Sequence, residues 1–77
     1  MKVIIYGKDN CPNCAKTKML CQIKSLDFDY QTVGSDISID DLTSKIGHAA
    51  TSLPQIFLDR DNAITYVGGY DELRARV

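Results

Sequence analysis

The first third of the chain changes from a continuous apolar run to a pattern with helical spacing. Residues 2–6 are apolar and mostly β-branched after the first position, which predicts a strand buried on both faces of a sheet, and Gly7 ends it. Residues 8–10 form a polar loop, and Pro12 suits the first position of a helix because a proline has no N–H to leave unpaired there. We therefore predict a helix over residues 12–26. Its apolar stripe has spacings of four, four and three residues and consists of Ala15, Met19, Ile23 and Leu26.

Strand-like and helix-like patterns alternate again in the middle of the chain. Residues 28–33 alternate apolar and polar side chains as far as Thr32, which predicts a second strand. A second helix follows, which either Ser35 or Asp36 caps and which Gly47 stops. The apolar positions of this helix lie three and four residues apart and are Ile39, Leu42 and Ile46.

The last third of the chain predicts a hairpin and a short helix. Residues 54–58 and 63–67 are β-type runs, joined by a turn-rich tetrapeptide at residues 59–62. Two glycines break the second run, and residues 70–76 are long enough for two helical turns. The predicted order is βαβαββα, an α/β fold in which all 77 residues form one domain, with a four-stranded mixed sheet and helices on both faces.

Composition narrows the classes of partner. The chain has 77 residues and a net charge of −1, with 44% hydrophobic and 25% charged residues, which is typical of a soluble globular protein. Binding to nucleic acid needs clustered Lys and Arg residues, which this sequence lacks, so we expect no nucleic-acid partner. The apolar runs are too short to span a membrane or to form the core of a signal peptide. The three cysteines cannot all pair within the chain, so we expect a reducing compartment and reactive rather than structural cysteines.

Cys11 and Cys14 are the candidate catalytic residues. Cys11 comes just before Pro12 and is the predicted N-cap, where unpaired backbone N–H groups and the helix dipole favour the thiolate that attacks disulfides. Cys14 lies one turn inside the helix. We therefore assign Cys11 as the exposed nucleophile and Cys14 as the resolving thiol, which attacks the mixed disulfide and releases the product.

The third cysteine and the single histidine have alternative interpretations. A CxxC pair can be half of a zinc site, with Cys21 and His48 as the other ligands, but no second CxxC or HxxxH completes a tetrahedron, and we expect no metal. Cys21 is interpreted either as a small, partly buried helix residue or as a third exposed thiol available for a mixed disulfide or a dimer. His48 is interpreted as a polar loop residue or as part of a ligand site.

Three spaced motifs resemble the glutaredoxin family, especially its short bacteriophage and bacterial members. They are CPNC at residues 11–14 after a strand, SLPQIF at residues 52–57 and GGYDEL at residues 68–73. The motifs follow each other in the family's order and span nearly the whole chain. The resemblance implies a thioredoxin-like fold, glutathione as the co-substrate, and redox use of Cys11 and Cys14.

The resemblance also implies a glutathione groove. Lys8 would lie near the nucleophile and the glycine carboxylate of glutathione, and Leu53 would pair its backbone N–H and C=O with the cysteinyl part. The Leu53–Pro54 peptide bond is expected to be cis, because the family places a cis proline beside the cysteines. Tyr70 and Asp71 would hold the γ-glutamyl end, with the Asp71 carboxylate against the ammonium group.

The chain departs from the family pattern at several positions. Asn13 replaces the tyrosine of the usual CPYC motif, which leaves the reduction potential open. Ser52 and Leu53 replace threonine and valine, changes small enough to keep the backbone geometry. The family's second basic contact falls on Lys45, on His48 or on neither.

The resemblance implies a monomeric enzyme of the cytoplasm, or of the host cytoplasm if a phage encodes it, that reduces disulfides in proteins and in glutathione adducts. Ribonucleotide reductase is one protein partner that it implies. One alternative is a redoxin of the same fold that thioredoxin reductase reduces; Lys8 and Asp71 favour glutathione instead. A second alternative is a module that binds a metal or an iron–sulfur cluster between subunits through Cys11 and glutathione. Pro12 disfavours it, because the proline restricts cluster access in this family.

Overall fold

The computed structural model describes residues 1–49 and 52–77, which form the predicted elements in the predicted order. The strands are β1 (Lys2–Gly7), β2 (Asp27–Thr32), β3 (Gln55–Arg60) and β4 (Ala63–Gly68). The helices are α1 (Pro12–Ile23), α2 (Ile39–Ile46) and α3 (Tyr70–Arg76). None of these helices is long and apolar enough to cross a membrane.

The strands form a mixed sheet in the order β2-β1-β3-β4. β1 pairs in parallel with β2 and antiparallel with β3, and β4 completes a hairpin with β3. On one face, α1 and α3 cover a core that includes Ile5, Cys21 and Leu73. On the opposite face, Leu42 of α2 clusters with Phe57. The predicted α/β, thioredoxin-like architecture with helices on both faces is therefore confirmed.

The apolar stripe predicted for α1 is wrong for Ala15, Met19 and Ile23, which lie on the solvent side of the helix. The helix ends at Ile23 rather than at residue 26, and Leu26 beyond it packs against the core. Met19 and Ile23 are 59% and 73% exposed. The Thr17 hydroxyl tolerates burial because it donates to the Asn13 carbonyl at 2.7 Å. Small side chains form the sheet-facing side of α1, namely Cys14, Thr17 and Cys21.

Cys21 is a core residue. Its side chain is fully buried in the cluster under α1 and α3. Burial raises the pKa of the Cys21 thiol, because a thiolate there would lose its hydration. The structure therefore favours the packing interpretation of Cys21 and excludes an exposed third thiol.

The N-cap of α2 is Ser38 rather than Ser35 or Asp36. The Ser38 hydroxyl accepts a hydrogen bond from the Asp41 N–H at 3.1 Å, which satisfies one of the unpaired donors of the first turn. Asp36 instead accepts from the N–H of the last β2 residue at 2.8 Å, so it closes the bend that follows the strand. The capping chemistry was predicted correctly, but its position was wrong.

β3 and β4 are joined by a two-residue turn. Asp61 and Asn62 both have positive φ, 53° and 64°, a conformation that aspartate and asparagine tolerate and that matches the twist of a hairpin. The turn is shorter than the predicted one at residues 59–62, and β3 extends to Arg60. The hairpin returns β4 along β3, so that Gly68 and the start of α3 lie near the beginning of β3.

The burial of Cys21 predicts its reactivity in the oxidised protein, in which Cys11 and Cys14 are disulfide-bonded. We expect 5,5′-dithiobis(2-nitrobenzoic acid) to detect no thiol in the folded protein and one thiol per chain in guanidinium chloride, because burial blocks the reagent and favours the unreactive protonated form. A Cys21→Ala variant should give no signal in either condition. Fast reaction of the folded protein would contradict the buried position.

Candidate active site

Cys11 lies at the N-terminus of α1, where the loop that leaves β1 ends. Asn10 adopts a left-handed conformation with a φ of 59°, and Pro12 begins the helix, so the chain turns and leaves Cys11 as the N-cap. The Cys11 sulfur accepts a hydrogen bond from the Cys14 N–H at 3.2 Å. Because a helix N-terminus stabilises negative charge on its capping side chain, this position favours a thiolate at Cys11 in the reduced protein.

The two motif cysteines differ in accessibility. They form a disulfide in this structure, with their Cα atoms 5.2 Å apart. The Cys14 side chain is 1% exposed, whereas Cys11 is partly exposed. A disulfide or thiol that approaches from solvent therefore meets Cys11 first.

Gly7 lies directly behind the disulfide. A Cβ atom at this position would lie 2.9 Å from the Cys14 sulfur and 2.9 Å from the Tyr30 ring, closer than side-chain atoms normally approach. The sequence predicts only that Gly7 ends a strand. The second role of Gly7 is to leave room for the Cys14 sulfur and the Tyr30 ring. This role depends on the pairing of β1 with β2, which brings Tyr30 next to Gly7, and no local sequence pattern predicts that pairing.

Leu53 brings a backbone carbonyl close to Cys11. The Leu53 oxygen lies 3.6 Å from the Cys11 sulfur. The Leu53–Pro54 peptide bond is cis, as expected. β3 starts at Gln55, immediately after this pair, so the sheet fixes the position of the segment that faces Cys11.

Gln55 holds this segment from inside the protein. The Gln55 side chain is 5% exposed, its amide nitrogen donates to the Ser52 carbonyl at 2.7 Å, and its amide oxygen accepts from the Tyr66 hydroxyl. Burial, with a smaller contribution from Glu72, raises the pKa of Tyr66, so the hydroxyl remains a donor. Gln55 and Tyr66 were not predicted from the sequence; a glutamine inside an apolar run was the available signal.

A groove on one side of Cys11 brings together three of the predicted site residues. This Leu53 groove has a volume of ≈ 430 Å³ and is lined by Lys8, Cys11 and Leu53, with Ile39 of α2 among the apolar residues of its wall. The combination of one cation, a partly exposed sulfur and the backbone of Leu53 suits an extended ligand that carries a carboxylate.

A second groove adjoins the first at Cys11 and extends the other way, and the two share Lys8, Asn10, Cys11 and Pro12. This Tyr30 groove has a volume of ≈ 480 Å³, and its lining includes Ala15, Lys18 and Tyr30. The Tyr30 hydroxyl donates to the Lys8 carbonyl at 3.2 Å, and the Lys18 ammonium lies 4.5 Å from the centre of the Tyr30 ring. Burial is the main cause of a raised pKa of Tyr30, and the carboxylate of Asp9, in the loop between β1 and α1, raises it further. The sequence analysis did not identify this groove.

Tyr70 and Asp71 lie in the first turn of α3 and line neither groove. Asp71 is exposed and Tyr70 is partly exposed. Gly69, the residue before them, lies close to Pro54, because a Cβ atom at Gly69 would lie 3.7 Å from the Pro54 carbonyl oxygen. The predicted glutathione residues therefore form one cluster at Cys11 and a second cluster beyond Pro54.

The remaining candidate residues line neither groove. Asn13, Lys45 and His48 are exposed, and the His48 ring packs against Tyr66 with the ring centres 5.8 Å apart. Within residues 1–49 and 52–77, no three His, Cys, Asp or Glu side chains are grouped closely enough to hold a metal ion.

Comparisons with known proteins agree over nearly the whole chain. A family model for glutaredoxin matches residues 3–62. Glutaredoxin 1 of Escherichia coli is 35% identical, in an alignment that covers 100% of this chain and 93% of the relative. The glutaredoxin of Vibrio cholerae is 32% identical, with 97% and 88% covered. The solution structure of reduced E. coli glutaredoxin matches with a TM-score of 0.80 and 29% identity, over 100% of this chain and 93% of that one.

These matches agree with what the site shows, which is a cysteine pair at a helix N-terminus with one sulfur open to solvent and a cis proline beside it. The chain belongs to the glutaredoxin family and is a thiol–disulfide oxidoreductase.

Proposed function

We propose that the chain reduces disulfides with Cys11 as the nucleophile, Cys14 as the resolving thiol and glutathione as the reductant. The difference in exposure carries the proposal: Cys14 is 1% exposed, while Cys11 opens into both grooves. The Cys14 N–H donates to the Cys11 sulfur, which stabilises an anion there. Glutathione as reductant is the property of the glutaredoxin family to which the chain belongs.

The reaction proceeds in two exchanges. The Cys11 thiolate attacks one sulfur of the substrate disulfide, the S–S bond of the substrate breaks, and the displaced sulfur takes a proton from solvent. Cys14, after its proton has passed to solvent, attacks the Cys11 sulfur and displaces the second substrate thiol. Two electrons move to the substrate, and Cys11 and Cys14 are left as a disulfide. Two glutathione molecules reduce this disulfide through a mixed disulfide on Cys11 and leave as glutathione disulfide.

Glutathione is proposed to occupy the Leu53 groove. Lys8 supplies a cation for the glycine carboxylate, and the backbone of Leu53 pairs with the cysteinyl residue close to the Cys11 sulfur. The γ-glutamyl end extends past Pro54 towards Tyr70 and Asp71, where the exposed Asp71 carboxylate meets the ammonium group. The Gly69 N–H is already occupied by the Glu72 side chain at 3.1 Å, so the glutamyl carboxylate has to use other donors.

The wider setting follows from the same family resemblance. We propose that the 77 residues act as a single, monomeric domain in the cytoplasm. Ribonucleotide reductase is proposed as one protein substrate, because the chain is similar over its whole length to a bacterial glutaredoxin 1.

Separate serine variants test the division of labour between the cysteines. Cys11→Ser should lower the reduction of a glutathione mixed disulfide by at least about a hundredfold, because the nucleophile is lost. Cys14→Ser should keep this activity and should accumulate a mixed disulfide with protein substrates, because no resolving thiol remains. The measurement is the rate of NADPH oxidation coupled through glutathione reductase, with mass spectrometry of the adduct. The reverse pattern, in which Cys14→Ser is inactive and Cys11→Ser is active, would reverse the assignment.

Asp71 tests the proposed path of glutathione. Asp71→Asn should raise KM for a glutathione mixed disulfide about two- to fivefold with little change in kcat, because an exposed ion pair contributes little and acts only in binding. Asp61→Asn is a matched control, since Asp61 is exposed in the β3–β4 turn and asparagine tolerates its positive φ. Equal KM values for the two variants would place the γ-glutamyl group elsewhere.

A further inference from the structure

The solvent face of α1 is apolar, and this face has no part in the fold. Cys14, Thr17 and Cys21 turn towards the sheet. Ala15, Met19 and Ile23 are exposed on the opposite side, one turn apart, and we call these three residues the α1 ridge. Met19 and Ile23 are among the most exposed large apolar side chains of the described residues, at 59% and 73%. Exposed apolar residues that are contiguous on one helix are typical of an interaction surface.

The charge around the ridge differs from that of the rest of the chain. Residues 12–24 include the three lysines Lys16, Lys18 and Lys24 and no acidic residue, whereas the whole chain has a net charge of −1. Lys16 lies one turn before Met19 and two turns before Ile23, so it flanks the ridge on its exposed side. The Tyr30 groove beside the ridge contains one carboxylate, Asp9, and two lysines, Lys8 and Lys18. The face of α1 together with this groove is therefore apolar with an excess of positive charge, which complements a ligand that is apolar and anionic.

The ridge is continuous with the reactive sulfur. Its first residue, Ala15, lines the Tyr30 groove together with Cys11, and Lys18 lines the same groove. A helix of the length of α1 (Pro12–Ile23) spans about 18 Å, which an extended segment of about six residues covers. The proposed glutathione position lies on the other side of Cys11, in the Leu53 groove. A polypeptide on α1 would reach the sulfur without crossing that groove.

We propose that the Tyr30 groove and the α1 ridge together form a docking surface for protein substrates, which selects disulfides followed by a short segment rich in acidic and apolar residues. The proposal rests on Cys11 as the nucleophile. The apolar side chains of the segment pack on Met19 and Ile23, and its carboxylates face Lys16 and Lys18. The surface brings a protein disulfide to Cys11, and its α1 ridge has no role for small glutathione adducts.

Two synthetic peptides test the surface. Both contain the same Cys-Gly-Ser-Cys disulfide, followed by six residues that alternate leucine with glutamate in one peptide and with lysine in the other. The protein should reduce the glutamate peptide with a clearly higher kcat/KM. A double variant with Met19→Gln and Ile23→Gln should lower this kcat/KM about tenfold, because the apolar contact is lost while the helix propensity is kept. Lys16→Glu should lower it about two- to fivefold.

The controls separate docking from chemistry. The mixed disulfide of cysteine and glutathione should be reduced at the same rate by all variants. Ile64→Gln and Arg60→Glu make the same kinds of change at exposed positions of the hairpin, at the end of the sheet away from Cys11, and should leave both peptides unaffected. If the unmodified protein does not reduce the mixed disulfide of cysteine and glutathione, the proposed function itself is overturned.

Three outcomes would overturn the docking surface while leaving the proposed function intact. The first is equal kcat/KM for the two peptides. The second is equal loss in the ridge and hairpin variants. The third is a dimer in sedimentation experiments that Met19→Gln with Ile23→Gln dissociates, because the ridge would then bind a second copy of the chain.

Discussion

The site depends on holding one sulfur atom where a helix begins and a sheet ends. The Cys11 sulfur receives the Cys14 N–H at 3.2 Å and lies 3.6 Å from the Leu53 carbonyl oxygen. The first contact requires α1 to begin at Pro12, and the second requires β3 to begin directly after Pro54. Both elements are fixed by β1, which leads into the loop before α1 and pairs with β3. A small fold thus controls the reactive atom through backbone groups, which vary little with side-chain identity.

The difference in burial between Cys11 and Cys14 determines which of the two sulfur atoms a substrate can reach. Gly7 leaves room behind the disulfide, so that Cys14 can be buried against the sheet while Cys11 stays at the surface. Gln55 fixes the segment that contains Leu53, on the other side of Cys11, through hydrogen bonds to both Ser52 and Tyr66. Because a buried polar group without partners costs about 1–3 kcal/mol, such a fully paired glutamine stabilises one arrangement of the segment beside Cys11. The same sulfur is open to two grooves, which allows a disulfide substrate and the reductant to approach from different sides.

Much of the fold and the centre of the site could be predicted from the sequence, because the signals are local. The β-branched run of β1, the proline at the start of α1 and the glycine after α2 each determine structure within a few residues. The face of α1 could not be predicted in this way. Its buried residues are cysteines and a threonine, whose suitability for the core depends on close approach to the sheet and on a hydrogen bond, whereas its methionine and isoleucine face solvent. Gly7 was missed because its contact with Tyr30 is formed across the sheet between residues far apart in sequence. Gln55 was missed because one of its two partners, Tyr66, lies on the neighbouring strand of the hairpin.

The identity of the reductant is the most direct test of the proposed mechanism, because the Leu53 groove has a role in it only if glutathione binds there. The oxidised protein would be mixed with NADPH and one of two reducing systems: glutathione together with glutathione reductase, or thioredoxin reductase alone. Thiol labelling would measure how fast the disulfide between Cys11 and Cys14 is lost. A glutathione site in the Leu53 groove predicts rapid reduction in the glutathione system and slow reduction by thioredoxin reductase. A strong preference for thioredoxin reductase would contradict it and would make the chain a redoxin of the same fold without a glutathione site.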